Sequence, residues 1–335
     1  MPGVATCLSR NGWRRVSSTC QVVFLLDNRA EAVTILVSGA SGFLGIRLVR
    51  SLAKQGRSVI ALHRAALPED APFDPAIRWV QCDLAQDGIE AEAFPEVEAV
   101  VHLAGTGWAR GARVDQSLDE DFFLEGNERT TVRLLQAFAP RVRRFVLASS
   151  QVVYGWPDSV SVSEDLPLAG TSPYAMSKVN GEGWMRSFQA RHGGAYMVLR
   201  FCGFIEGGGV ADYMIDRALG DAPIELFANG TIRRDYLSAE DGARAIVLAI
   251  DAPMAEGFNP INIGSGQALR AQEMAVIVRE ALGSSSAIEL IDKPSSQGDF
   301  VFDVKRASEV LGFVPADLRE AVRQYACGRA GKMGK

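Results

Sequence analysis

Tyr174 and Lys178 stand four residues apart in "SPYAMSK", inside a predicted helix over 173–191. Residues at i and i+4 share one helix face, so the phenol and the ammonium point the same way. A phenol of ordinary pKa, about 10, holds its proton too firmly to act as a base at neutral pH. A neighbouring ammonium stabilises the phenolate and brings that value down. Upstream, "VLASSQVVYG" ends an apolar strand on Ser149 and Ser150. A hydroxyl there can hydrogen-bond a substrate oxygen that gains or loses a proton. Taken singly, a Tyr-x-x-x-Lys pair is an ordinary helix face. What accompanies it decides the reading.

Its company includes "ILVSGASGFLGIRLV", residues 35–49, where a strand pattern breaks into three glycines before a helix pattern begins. Gly39 permits a tight turn, Gly42 lets backbone approach a pyrophosphate, and Gly45 lets the helix pack closely. Ser41, Phe43 and Leu44 complete a turn that ends on a helix N-terminus, whose free N–H groups and dipole favour phosphate. The spacing G-x-x-G-x-x-G between strand and helix predicts a bound nicotinamide dinucleotide. In its oxidised form the positive ring adds to the stabilisation of a Tyr174 phenolate.

In NAD sites an acid about 18–20 residues on binds the ribose 2′-hydroxyl. Here the second strand reads "SVIALHRA", with His63 at that place and Arg64 after it. Loss of the acid removes repulsion toward a 2′-phosphate, and a guanidinium can pair with one bidentately. NADP(H) is therefore favoured, with NAD(H) kept open and a plain solvated loop cation as the other reading of Arg64. "QCDL" places Asp83 for the adenine amino group, next to Leu84. "HLAG" sets Leu103, Ala104 and Gly105 beside the cofactor.

Elements to position these groups are legible. Strands are predicted over 34–38, 58–63, 77–82, 99–103, 144–148 and 196–201. Helices are predicted over 43–54, 119–138, 173–191, 239–250 and 271–282. Short apolar strands separated by amphipathic helices define an α/β fold with a Rossmann-type doubly wound parallel sheet. Beyond Gly203 glycines cluster and strands shorten, which predicts a smaller, interleaved C-terminal substrate lobe. The expected division is a disordered extension over 1–33, a dinucleotide-binding domain over 34–203, the lobe over 204–328 and a tail over 329–335.

Among the 335 residues, 47% are hydrophobic and 22% charged, an ordinary globular balance. A net charge of −5 argues against nonspecific nucleic-acid binding. The five cysteines have no C-x-x-C or zinc-ligand spacing, so neither a disulfide framework nor a metal is expected and a reducing cytoplasm fits. The apolar run 22–26 is too short to span a bilayer. His102, in an apolar strand, reads as a packed core residue.

The ordered set "SGASGFLG", "CDL", "VVHLAG", "GNERTTVRLLQA", "LASSQVVYG", "SPYAMSK", "LRFCGFIEGGG", "RRDYLSAEDGARA" and "INIGSG" resembles the extended short-chain dehydrogenases/reductases. Within them it is similar to the NAD(P)-dependent sugar epimerase/dehydratase group, over about residues 33–325. The resemblance implies that Tyr174 is the general acid/base and that Lys178 lowers its pKa and holds the nicotinamide ribose. It makes Ser150 the catalytic Ser/Thr with Ser149 its neighbour, and Asn127 the supporting asparagine of the active site. Arg234 matches an arginine that contacts the substrate diphosphate, although a surface ion pair with Asp235 is an equal reading. Trp108, with Arg110 and Arg113, lies where substrates enter this family's fold, and can equally be loop surface.

Two departures narrow the function. Dehydratases of this group carry Asp-Glu after the catalytic Thr, and here Gln151 and Val152 stand there. Gly203 replaces an asparagine that touches substrate phosphate, which loosens the tie to nucleotide sugars. The implied activity is NAD(P)-dependent oxidoreduction or epimerisation at a hydroxyl or ketone, with 4-keto reduction of a nucleotide-linked sugar favoured. A 4-epimerase with retained cofactor, a ketoreductase of another small carbonyl compound and a non-catalytic NADP(H) sensor are the alternatives. A homodimer through the helices over 119–138 and 173–191 is expected by the same resemblance.

Overall fold

The computed structural model describes residues 33–107, 120–159, 161–253, 256–294 and 298–333. The expectations for residues 1–32 and for Trp108, Arg110 and Arg113 lie outside them. In chain order the first half runs β1 (Thr34–Ser38), α1 (Phe43–Lys54), β2 (Ser58–His63), β3 (Ile77–Gln81), β4 (Val97–His102) and α2 (Glu120–Phe123). A π-helical stretch, Leu124–Arg129, then leads into α3 (Thr130–Phe138), β5 (Arg144–Ser150), β6 (Ser161–Val162), α4 (Pro173–His192) and β7 (Ala195–Phe201). Next come β8 (Gly203–Phe204), α5 (Val210–Leu219), β9 (Ile224–Phe227), β10 (Arg233–Arg234), β11 (Tyr236–Leu237) and α6 (Ala239–Asp251). The chain continues through β12 (Gly257–Ile263), β13 (Leu269–Arg270), α7 (Ala271–Leu282), β14 (Ile288–Ile291), β15 (Val301–Phe302), α8 (Lys305–Leu311) and α9 (Leu318–Met333).

Seven strands form one sheet in the order β12-β7-β5-β4-β1-β2-β3, and every pairing in it is parallel. Strands buried on both faces read as continuous apolar runs, as the fully buried "AYMVLRF" of β7 does. On one face, α1 and α6 cover the sheet with Leu48, Val49, Leu52, Ile246 and Ile250. On the other, α3 and α4 do so with Leu134, Leu135, Phe138, Met185 and Phe188. Each such side chain stabilises the fold by about 1.5–3 kcal/mol relative to exposure. Strand order reverses between β1 and β4, so the loops after them diverge and open a crevice at the strands' C-terminal ends.

Where sequence patterning and structure differ, pairing explains the difference. β5 runs two residues past its apolar stretch, because Ser149 and Ser150 continue the register with Arg200 and Phe201 of β7. The helix expected over 119–138 is interrupted by the π-helical turn, which carries Asn127. β12 comes from beyond residue 203 yet pairs with β7 in the main sheet. A separate core of Met214, Ile215, Ile224, Met274, Val278 and Val322 holds α5, α7 and α9 together. Among the described residues no helix is long and apolar enough to cross a membrane.

Candidate active site

The glycine turn has the shape its spacing predicts. Gly39 adopts φ +69°, and a Cβ there would lie 2.5 Å from Ala104 N. The Gly42 N–H donates to Gly39 O at 3.0 Å. A Cβ on Gly45 would overlap Gly39 O and sit 2.7 Å from the Ala40 Cα. The close approach Gly45 serves is thus to the turn itself. α1 begins at Gly42 with no side-chain cap and no acidic residue in its first turn. Its first N–H groups and the positive end of its dipole face the crevice, which suits a pyrophosphate.

From this turn a cleft of about 840 Å³ extends past Ser150, Tyr174 and Lys178 to Arg234. That is at the upper end of the size usual for small-molecule sites. A second hollow of about 310 Å³ shares Gly39, Gly42 and Gly105 with it and is lined by Ser41, His63, Arg64, Asp83, Leu84 and Ala104. The sequence-predicted cofactor residues therefore converge. Phe43 closes one wall edge-on against Phe204, 5.1 Å between centroids. Leu44 and Leu103 also line the cleft. His63 Nδ1 donates to Ala65 O at 2.7 Å, and its ring stands edge-on to Trp79 with centroids 5.9 Å apart. Arg64 is exposed at the rim, its carbonyl accepting from Gln81.

Three residues of α4 meet the end of β5. The Tyr174 phenol shares the cleft with Ser150, whose hydroxyl is near enough to ease its ionisation. Lys178 Nζ donates to Ala148 O at 3.1 Å and lies over the Tyr174 ring, 5.9 Å from its centroid. Desolvation raises the Tyr174 pKa and the Ser150 hydroxyl opposes it. Lys178, expected from the sequence to lower that value, stands with its ammonium at the face of the ring. Burial brings Lys178 down to about 8, against the pull of Glu182.

Asn127 is 3% exposed, and its amide is committed to the scaffold. Oδ1 accepts from Thr106 N at 2.7 Å, while Nδ2 donates to Thr106 O and Ser177 Oγ. Ser177 Oγ donates in turn to Tyr174 O. Gly105 passes so close that a Cβ would lie 2.6 Å from Asn127 Oδ1 and 3.4 Å from Lys178 Nζ. His102 is a core residue, as expected. Burial, with Lys178 adding, pushes it down to about 3, so it is neutral. Thr131 Oγ1 donates to Asn127 O, so it accepts from His102 Nε2, and Ser38 Oγ donates to Nδ1 while accepting from Ala104 N. This chain joins the floor of the crevice to the π-helical turn.

Ser149 lines the cleft beside Ser150, and its hydroxyl donates to Glu182 Oε1 at 2.6 Å. Arg234 lines the cleft with its guanidinium 4.7 Å over the Trp156 ring. Asp235, its expected ion-pair partner, is committed to Ser265 N and Oγ and to Gly266 N. Trp156, Thr106 and Glu182 were missed in the sequence. The only signal for Glu182 was an arginine, Arg200, inside an otherwise apolar strand. Among the described residues no group of His, Cys, Asp and Glu could hold a metal ion.

A doubly wound parallel sheet with a glycine turn at its crevice and Ser, Tyr and Lys at one end of the same cleft defines a dinucleotide-dependent oxidoreductase architecture. The chain belongs to the NAD dependent epimerase/dehydratase family, whose pattern matches residues 35–264. It is 32% identical over 314 residues to a UDP-glucose 4-epimerase of Mycolicibacterium smegmatis, covering 84% of this chain and 93% of that one. It is 26% identical over 317 residues to a dTDP-4-dehydro-6-deoxy-D-allose reductase of Streptomyces bikiniensis, covering 88% and 95%. The structure is similar to that of MoeE5 in complex with UDP-glucuronic acid and NAD, with a TM-score of 0.76 and 28% identity over 89% of this chain and 99% of that one. It is an enzyme of the extended short-chain dehydrogenase/reductase type.

Proposed function

We propose that the protein reduces the 4-ketone of a sugar carried on a nucleoside diphosphate, with NADPH as its reductant. The observation that carries the reading is the meeting of Ser150, Tyr174 and Lys178 in the cleft that continues into the glycine turn. Nicotinamide, when bound, supplies the hydride. Tyr174 gives its proton to the substrate oxygen, Ser150 hydrogen-bonds that oxygen, and Lys178 stabilises the phenolate left behind. Asn127 holds Thr106 and Ser177, and so the backbone on both sides of the phenol. Arg234, braced on Trp156, offers a cation to the substrate diphosphate. Retained-cofactor 4-epimerisation is the second reading, favoured by the likeness to the Mycolicibacterium epimerase.

Absorbance at 340 nm, with NADPH or NADH offered against a panel of nucleotide-linked keto-sugars, tests this. Consumption of NADPH with one keto-sugar supports reduction. A flat trace with inversion at C4 of a nucleotide hexose transfers the assignment to epimerisation.

Preference for the phosphorylated dinucleotide rests on Arg64 at the adenosine-side hollow and on the lack of an acid at the end of β2. Arg64→Ala is expected to weaken NADP(H) about 10- to 100-fold, the worth of one or two charge-assisted hydrogen bonds, and to leave NAD(H) unchanged. Fluorescence titration of both dinucleotides checks it, and an unaltered ratio removes Arg64 from the argument.

We further infer a homodimer through α4 and the α2 region, supported by the exposed apolar groups Met176, Trp184, Phe122 and Leu124. Light scattering should give twice the chain mass, falling to one chain in Met176→Glu/Trp184→Glu, and a monomeric wild type would overturn it. A cytoplasmic location is supported by the free thiols of Cys82, Cys202 and Cys327, which suit a reducing compartment.

A further inference from the structure

Tyr174, Lys178 and Glu182 occupy successive turns of α4 and engage three successive residues of β5. Tyr174 meets Ser150, Lys178 meets the Ala148 carbonyl at 3.1 Å, and Glu182 meets the Ser149 hydroxyl at 2.6 Å. The first two belong to the chemistry described above, and the third is unassigned. Glu182 is 2% exposed and Arg200 3%. Charged groups so buried are found paired and hydrogen-bonded. Arg200, the register partner of Ser149, pairs with Glu182 through Nη2 at 2.7 Å and Nε at 3.1 Å from the carboxylate oxygens. Its Nη1 donates to Tyr154 Oη at 2.7 Å, and Tyr154 donates to Asn262 Oδ1 at 2.7 Å.

We propose that Glu182 is a positioning residue for Lys178: clamped by Arg200 and Ser149, its carboxylate keeps the Lys178 ammonium charged and docked on β5. The proposal rests on the role given to Lys178 above. Burial alone drives that amine toward its neutral form, and Glu182 is the group that opposes the drive. The titratable groups around the pair are Tyr174 on α4, His102 on β4, Arg200 on β7, and Tyr154 and Glu164 beyond β5. His102 is neutral, and Arg200 faces Glu182 and Tyr154. Glu182 thus supplies the negative charge one helical turn from the ammonium.

The test reads the amine itself. In full-length protein labelled with [ε-13C]lysine, the Lys178 resonance is assigned by its absence in Lys178→Arg and followed through the neutral and alkaline range. Removing the Glu182 charge removes what raises the value, so the ammonium must be lost at lower pH. The midpoint, about 8 in the wild type, is expected to fall by about one pH unit or more in Glu182→Gln. In Glu182→Asp, which keeps the charge, it should stay within about half a unit. A purely structural role would leave all three midpoints equal, and that result overturns the proposal. Should Glu182→Gln not fold because Arg200 is orphaned, Glu182→Gln/Arg200→Gln leaves no buried charge unpaired. A smaller fall is expected there, because the Arg200 cation that offsets the carboxylate is gone as well, and a midpoint that does not fall again overturns it. No substrate is needed, so failure to find a reducible sugar does not affect the outcome.

Discussion

Tyr174→Phe should lose turnover by about 10³-fold or more, the upper range of general acid catalysis, while dinucleotide affinity stays within about twofold. The ring has its own contacts, tilted against Phe123 at 5.7 Å and under Lys178 at 5.9 Å. Phenylalanine keeps both and deletes only the oxygen that meets Ser150. The proton donor is therefore removed from an otherwise intact cleft. Rates of NADPH oxidation and dinucleotide titrations on the same preparation separate the two quantities. Unaltered turnover would take Tyr174 out of the chemistry and revive the non-catalytic sensor. Loss of affinity in step with turnover would make the ring a structural wedge.

Gly39→Ala should weaken dinucleotide binding by about 100-fold or more and destabilise the fold by about 3 kcal/mol or more. Part of this is the left-handed conformation at φ +69°, which a side chain resists by about 1–2 kcal/mol. The rest is steric. The new methyl would lie 2.5 Å from Ala104 N and 2.7 Å from the Leu103 carbonyl carbon. Those atoms are backbone, tied to β1 by the Leu103 N–H to Ser38 O bond of 3.1 Å. Relief requires the ends of β1 and β4 to part, and the crevice is built from those ends. Gly56→Ala is the control, because φ is +74° there and nothing stands within 4 Å of the new methyl. It should show the conformational penalty alone, with binding intact. Equal losses at the two sites, by denaturant titration and dinucleotide affinity, would refute the steric argument.

What could be read in the sequence was local. The glycine turn is fixed by spacing between a strand and a helix, and Gly39, Gly42 and Gly45 fall where that spacing puts them. Tyr174 and Lys178 are brought together by helix periodicity alone. Strands were legible because burial on both faces leaves unbroken apolar runs. What escaped depends on partners far along the chain. Arg200 is a strand charge whose explanation, Glu182, stands on a different element. The π-helical turn holds Asn127 against Thr106 and Ser177, and no propensity marks such a turn. Trp156 has no periodic pattern around it. Its stack with Arg234 exists only because β10 returns to the cleft.

The place of β12 at the edge of the main sheet has a consequence for how the chain is made. β7 is wholly buried, paired with β5 on one side and with β12 on the other. A ribosome finishes β7 at Phe201 and reaches the end of β12 at Ile263 about 60 residues later. At about 5–20 residues per second, an apolar strand edge therefore stands open on the nascent polypeptide for several seconds. By then β1 to β5 and the glycine turn have all been synthesised, so the cradle for the dinucleotide can form before the sheet is closed. A ligand present at that stage would hold the growing domain in its native register through the interval in which it is most open to aggregation.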